Sequence, residues 1–205
     1  VYLKLDTQGN DIKWAPASAL TGSVVLVDSQ VYLVGSDTAP TGFDSDPTNN
    51  PVQTAVYLKN YIDSNNTTTS SVLCAYVSVG VNGNQWVELE GVVPMADNSW
   101  YNLRIEVTYP ETGYPTARYI VNGTTLIQAG TSTESLTLAN ADRFLQPTDK
   151  KLNSVSFRGT GSVDNFVGNQ VLPDAALVLP FSVATFTNEV QTAPAAILAG
   201  GYPSV

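Results

Sequence analysis

Residues 98–109 read Asn98-Ser99-Trp100-Tyr101-Asn102-Leu103-Arg104-Ile105-Glu106-Val107-Thr108-Tyr109. Tyr101, Leu103, Ile105, Val107 and Tyr109 alternate with Asn102, Arg104, Glu106 and Thr108. In an extended chain successive side chains point to opposite faces, so the first set belongs in a core and the second at a surface. Residues 116–121 repeat the pattern and end in Asn122-Gly123. Asn-Gly supplies the positive φ angles of a tight hairpin, so Tyr119 and Val121 continue the apolar face on the hairpin partner.

The same alternation recurs outward from this hairpin, while apolar spacing of helical period never persists over three turns. It predicts strands over 1–5, 23–27, 31–34, 55–62, 72–79, 85–90, 100–109, 116–121, 135–138 and 154–158, with a last set over 162–167 and 176–186. Turn signals separate them, among them Thr7-Gln8-Gly9-Asn10, Asn82-Gly83-Asn84 and Glu111-Thr112-Gly113. Many short strands with such punctuation indicate a sandwich or barrel. The fold expected is all-β, a two-sheet antiparallel jelly-roll β-sandwich over residues 1–171, with 1–20 offering an extra N-terminal strand. Residues 36–51 and 63–71 read as longer loops. Residues 172–205 form an apolar tail broken by Pro180, Pro194 and Pro203. That tail reads as a returning strand, the start of a following module, or a segment that docks on another copy.

Composition narrows the function. The chain has 205 residues, a size at which folding buries roughly 70% of the unfolded surface. There is no histidine, which removes Ser–His–Asp and Cys–His nucleophile systems and His-ligated zinc or iron. The one cysteine, Cys74, cannot form an intrachain disulfide, and it is expected to be buried and inert. Nine Lys and Arg stand against 18 Asp and Glu, a net charge of −9. A nucleic-acid partner needs a basic footprint, so nucleic acid is excluded. No run approaches the ~18 apolar residues of a membrane span. Charged residues make up only 13%, so the polar surface is mostly hydroxyls and amides, which suits a secreted or cell-surface protein. The sequence starts at Val1 without an initiator methionine or a charged-then-apolar leader, and it reads as a mature protein or an excised fragment.

Four segments follow one another in a familiar order: Trp86-Val87-Glu88-Leu89, the Trp100 strand, Ala117-Arg118-Tyr119-Ile120-Val121-Asn122-Gly123, and Val155-Ser156-Phe157-Arg158-Gly159-Thr160-Gly161-Ser162-Val163-Asp164-Asn165-Phe166-Val167. This order resembles the concanavalin A-like, laminin-G-like jelly-roll superfamily of lectins and glucanases, over well under half the chain. The resemblance implies a sandwich, a habit of carbohydrate binding and, in some members, a Ca2+ near the rim. Its hydrolases carry a Glu-x-Asp-x-x-Glu strand, and retaining chemistry needs two carboxylates about 5 Å apart. Here the nearest match is Glu88-Leu89-Glu90, without the Asp or the third acid. Catalysis is therefore not expected.

Two site hypotheses remain. Alternation places Tyr76, Trp86, Glu88, Arg104, Glu106 and Arg158 on outward faces, and they would form one aromatic and charged sugar-binding surface if their strands are neighbours. Aromatic faces suit this work. The alternative is that Trp86 lies under a loop as satellite core. Asp37, Asp44 and Asp46 share one loop and offer oxygen ligands for a Ca2+; the plain alternative is that they are solvated. The expected function is a non-catalytic, extracellular, lectin-like module for a polysaccharide or glycan. Its competitor is a structural subunit of a surface fibre, layer or adhesin that pairs with copies of itself by strand addition.

Overall fold

A computed structural model gives the architecture and describes residues 3–5, 12–16, 18–44, 48, 51–91 and 94–171. In chain order the strands are β1 (Leu3–Leu5), β2 (Ile12–Trp14), β3 (Val24–Leu33), β4 (Ala55–Ile62), β5 (Thr68–Ser78), β6 (Asn84–Glu90), β7 (Ser99–Thr108), β8 (Thr116–Val121), β9 (Thr124–Thr125), β10 (Ile127–Gln128), β11 (Leu136–Thr137), β12 (Val155–Phe157) and β13 (Gly161–Val171). Two 3-10 turns, Gly80–Asn82 and Ala141–Phe144, complete the described elements. No helix among the described residues is long and apolar enough to cross a membrane.

The strands form two antiparallel sheets facing each other across a core. The larger has seven strands in the order β1-β13-β3-β7-β8-β11, with β9 paired to β8. The smaller runs β10-β6-β5-β4, and β12 pairs with β2 in a separate two-stranded ribbon. Register explains the core. Val25 sits opposite Val107, Val27 opposite Ile105 and Val31 opposite Tyr101, while Ile105 sits opposite Tyr119. These inward side chains meet Leu73, Ala75, Val77 and Leu89 from the smaller sheet in one buried cluster. Each fully buried Val or Leu stabilises by roughly 1.5–3 kcal/mol. Polar ties cross the gap as well: the Tyr119 hydroxyl meets Thr54 Oγ1, and the Tyr109 hydroxyl donates to Gln53 Oε1. Burial pushes both phenols above their ordinary pKa.

The β-sandwich expected from alternation is thus the fold observed. The apolar face of the Trp100 strand is inward, and Asn122-Gly123, with φ angles of 50° and 82°, makes the turn from β8 to β9. Three details differ. The two strands expected over 23–27 and 31–34 are one strand, β3 (Val24–Leu33), because Ser29 points inward at 7% exposure and the ladder to β7 continues through Asp28, Ser29 and Gln30. The stretch 63–71 is a loop only to Thr67, since β5 begins at Thr68. The ribbon strand β2 contributes Trp14, fully buried against Phe166, a core residue that no alternation marked. The strand expected over 176–186 and the tail over 172–205 lie outside the described residues.

Candidate functional site

Each sheet has an outer face, and the two differ in kind. On the smaller sheet, Tyr57, Cys74 and Glu88 share one register row, and Tyr76 and Trp86 share the next. Phe43, from the loop between β3 and β4, folds back over this row. Its ring lies 5.0 Å from Tyr76 and 5.3 Å from Trp86, while Trp86 lies 4.7 Å from Tyr57 and 5.3 Å from Tyr76. Trp86 is therefore half-buried in a loop-capped aromatic cluster. Burial, aided by Cys74, raises the Tyr57 phenol to about 12. Beside the cluster, Lys59 Nζ lies 2.6 Å from Glu88 Oε1 and 4.4 Å from the centre of the Tyr61 ring. Tyr61 also donates its hydroxyl to Glu88. Lys59 and Tyr61 together hold the Glu88 carboxyl below the usual glutamate range.

The outer face of the larger sheet is open. Two adjoining depressions, of about 430 and 200 Å3, share Gln30 and Asn102 in their floors. Trp100 lines the smaller one and is 45% exposed. Its ring meets Tyr32 on β3 edge-on at 5.6 Å, because register sets Tyr32 opposite Trp100. Gln30 accepts from Asn165 Nδ2 at 2.8 Å, and Asn165 stands at a bulge of β13 with φ 48°. Arg104 grips Asp28 with two bonds, Nε to Oδ1 at 2.6 Å and Nη2 to Oδ2 at 3.1 Å. Asp28 raises the Arg104 pKa. The charges continue sideways: Arg118 lies 3.3 Å from both Glu106 and Glu134, and Glu106 lies 4.0 Å from Arg104. The arrangement is a stacking aromatic, a row of amides and a charge ladder of three carboxylates and two guanidiniums.

The six residues expected on one surface are split between the two. Tyr76, Trp86 and Glu88 lie on the smaller sheet, and Arg104 and Glu106 on the outer face of the larger. Arg158 is exposed just after β12, which pairs with β2. Alternation gave each side chain its direction but not its sheet. Trp100, Gln30, Tyr32 and Asn165 escaped the sequence reading and Asn102 was read only as surface-facing, though Trp100 is in phase with Asn102 and Arg104 along β7. Of the candidate calcium ligands, Asp44 faces donors: its oxygens accept from Val52 N, Tyr76 Oη and Asn140 Nδ2 at 3.1–3.4 Å. Asp37 is exposed and accepts from Thr38 Oγ1, and Asp46 lies outside the described residues. Among the described residues no three His, Cys, Asp or Glu side chains gather as a metal would require. Cys74 is buried, as expected.

No family model matches the chain, and no curated protein matches it. Solved structures do match. One is an alginate lyase variant in complex with an alginate tetrasaccharide, 11% identical, covering 82% of this chain and 82% of its own, at a TM-score of 0.42. That finding corrects the expectation of a non-catalytic lectin-like module, since the similar structure is an enzyme's. The competing expectation of a structural fibre subunit is set aside with it. The missing Glu-x-Asp-x-x-Glu strand and the missing histidines exclude only the chemistries that need them, and catalysis as such does not follow them out. No residue role is carried over at this identity.

Proposed function

We propose that the chain is a carbohydrate-active β-sandwich of the concanavalin A-like, laminin-G-like kind, working outside the cell. It holds a polysaccharide along the outer face of its seven-stranded sheet. The observation that carries this reading is Trp100, an exposed indole paired edge-on with Tyr32 at the end of two adjoining amide-lined depressions. A pyranose has an apolar face that stacks on an aromatic ring, and vicinal hydroxyls pair with the planar amides of Gln30, Asn102 and Asn122. The loop-capped Trp86 cluster offers no comparable platform, because Phe43, Tyr57 and Tyr76 already occupy its ring.

The test is sedimentation with insoluble polysaccharides, alginate gel included because the similar structure holds that sugar. Released reducing and unsaturated ends are assayed in the same tubes. The intact chain should co-sediment with at least one polymer, and Trp100→Ala should weaken binding at least tenfold, the loss of about 1.4 kcal/mol. If Trp86→Ala abolished binding while Trp100→Ala did not, the site would lie on the other sheet. Chain cleavage that Trp100→Ala slows would place catalysis on the same face.

A further inference from the structure

We infer that the polysaccharide held on this face is uncharged, an inference that rests on the reading just given and names its substrate class. A polyuronate or sulfated chain carries an anion on almost every sugar, and a face of negative balance repels it. Among the described residues the larger sheet's outer face has two guanidiniums, and each is paired with carboxylates. Arg104 is engaged bidentately by Asp28 and flanked by Glu106; Arg118 lies between Glu106 and Glu134. Bidentate guanidinium–carboxylate pairing is among the stronger polar contacts and fixes both groups in place. Drawing Arg104 to an incoming uronate would leave Asp28 facing the same anion. Three carboxylates to two guanidiniums leave this ladder with a negative balance, within a chain of net charge −9.

Two of the other cations are committed elsewhere. Lys59 is on the opposite sheet and tied to Glu88. Lys150 donates to the carbonyls of Pro110 and Glu111. What the face does offer suits hydroxyls: amides that both donate and accept, carboxylate oxygens as acceptors, and an indole for stacking.

The experiment is native affinity electrophoresis of the intact chain. Gels contain neutral polymers (β-1,3-glucan, galactomannan, xyloglucan) or polyuronates (alginate, polygalacturonate), at low and at raised salt. The expected result is retardation by a neutral polymer, little changed by salt and lost in Trp100→Ala, with free migration through both polyuronates. The variant Asp28→Asn, checked for folding by circular dichroism, should gain at least tenfold in retardation by alginate at low salt as Arg104 is released. Polyuronate retardation of the wild-type chain that Trp100→Ala abolishes would overturn the neutral class while leaving the site in place. Retardation indifferent to Trp100→Ala, or none by any polymer, would overturn the site and the inference with it.

Discussion

At Gly168 the chain passes directly beneath Trp14. A Cβ added there would lie 2.4 Å from Trp14 Cη2 and 2.8 Å from Cζ2, closer than real Cβ atoms come, and the indole is fully buried. Gly168→Ala should therefore destabilise by about 1–3 kcal/mol, the usual cost of overfilling a packed core. Urea unfolding should show the midpoint falling with an unchanged slope, and an unshifted midpoint would mean that the ribbon strand β2 gives way freely. Glu88 makes a different prediction, in pH. Its carboxyl is held low by Lys59 and Tyr61, so its stabilising contribution is complete above the unfolded glutamate value of about 4.3. The contribution disappears as the pH falls through the lower folded value. The urea midpoints of wild type and Glu88→Gln should differ by a constant amount from pH 7 to about 5 and converge below about 4. A gap that persisted into acid would mean that the Lys59 contact does nothing for Glu88. Since the pair is part-exposed, the gap should be small and shrink with salt.

Elements depend on each other through few residues, and Asp97 is one of them. It lies just before β7, yet its carboxylate accepts from Gly35 N at 2.7 Å and from Asn60 Nδ2 at 2.8 Å. It thus ties the end of β3 to the middle of β4. Asn60 is 7% exposed and in turn accepts from Ser71 Oγ at 2.7 Å. Asp97→Ala would strand a buried amide, at a cost of about 1–3 kcal/mol. Because β4 is an edge strand of the smaller sheet, amide exchange should accelerate in β4 well before β3 or β7. Uniform acceleration across both sheets would show Asp97 to be no local tie. The strands were legible where alternation is clean, as in β7 and β8. β3 read as two because Asp28-Ser29-Gln30 resembles a break, and only the long ladders to β7 and β13 carry it through. Short elements such as β2, β9 and β10 are set by their partners and leave little local signal.

For the molecule as a whole, the sandwich was legible because a periodic pattern within one strand specifies a buried face. The site was not, because a surface requires knowing which strands are neighbours. β3 lies between β7 and β13, strands remote in sequence, and that juxtaposition alone brings Tyr32 and Gln30 to Trp100, Asn102 and Asn165. Trp86 drew notice as an outward aromatic, but a loop residue, Phe43, decided its environment. Charge was legible throughout, since net charge needs no geometry; its meaning for ligand choice emerged only once the ladder partners of Arg104 and Arg118 were known.

Cys74 gives the molecule a built-in clock. It is the chain's sole thiol, 2% exposed in the middle of β5, and burial raises its pKa, which suppresses the reactive thiolate. It lies in the outer row beside Tyr57, so a thiol reagent must wait for the side chains covering that row to move aside before it can react. Its labelling rate, followed by mass, therefore counts openings of that outer cover in the unmodified protein, with no engineered probe. With a glycan present, the change in that rate would report how far occupancy of one face steadies the opposite one.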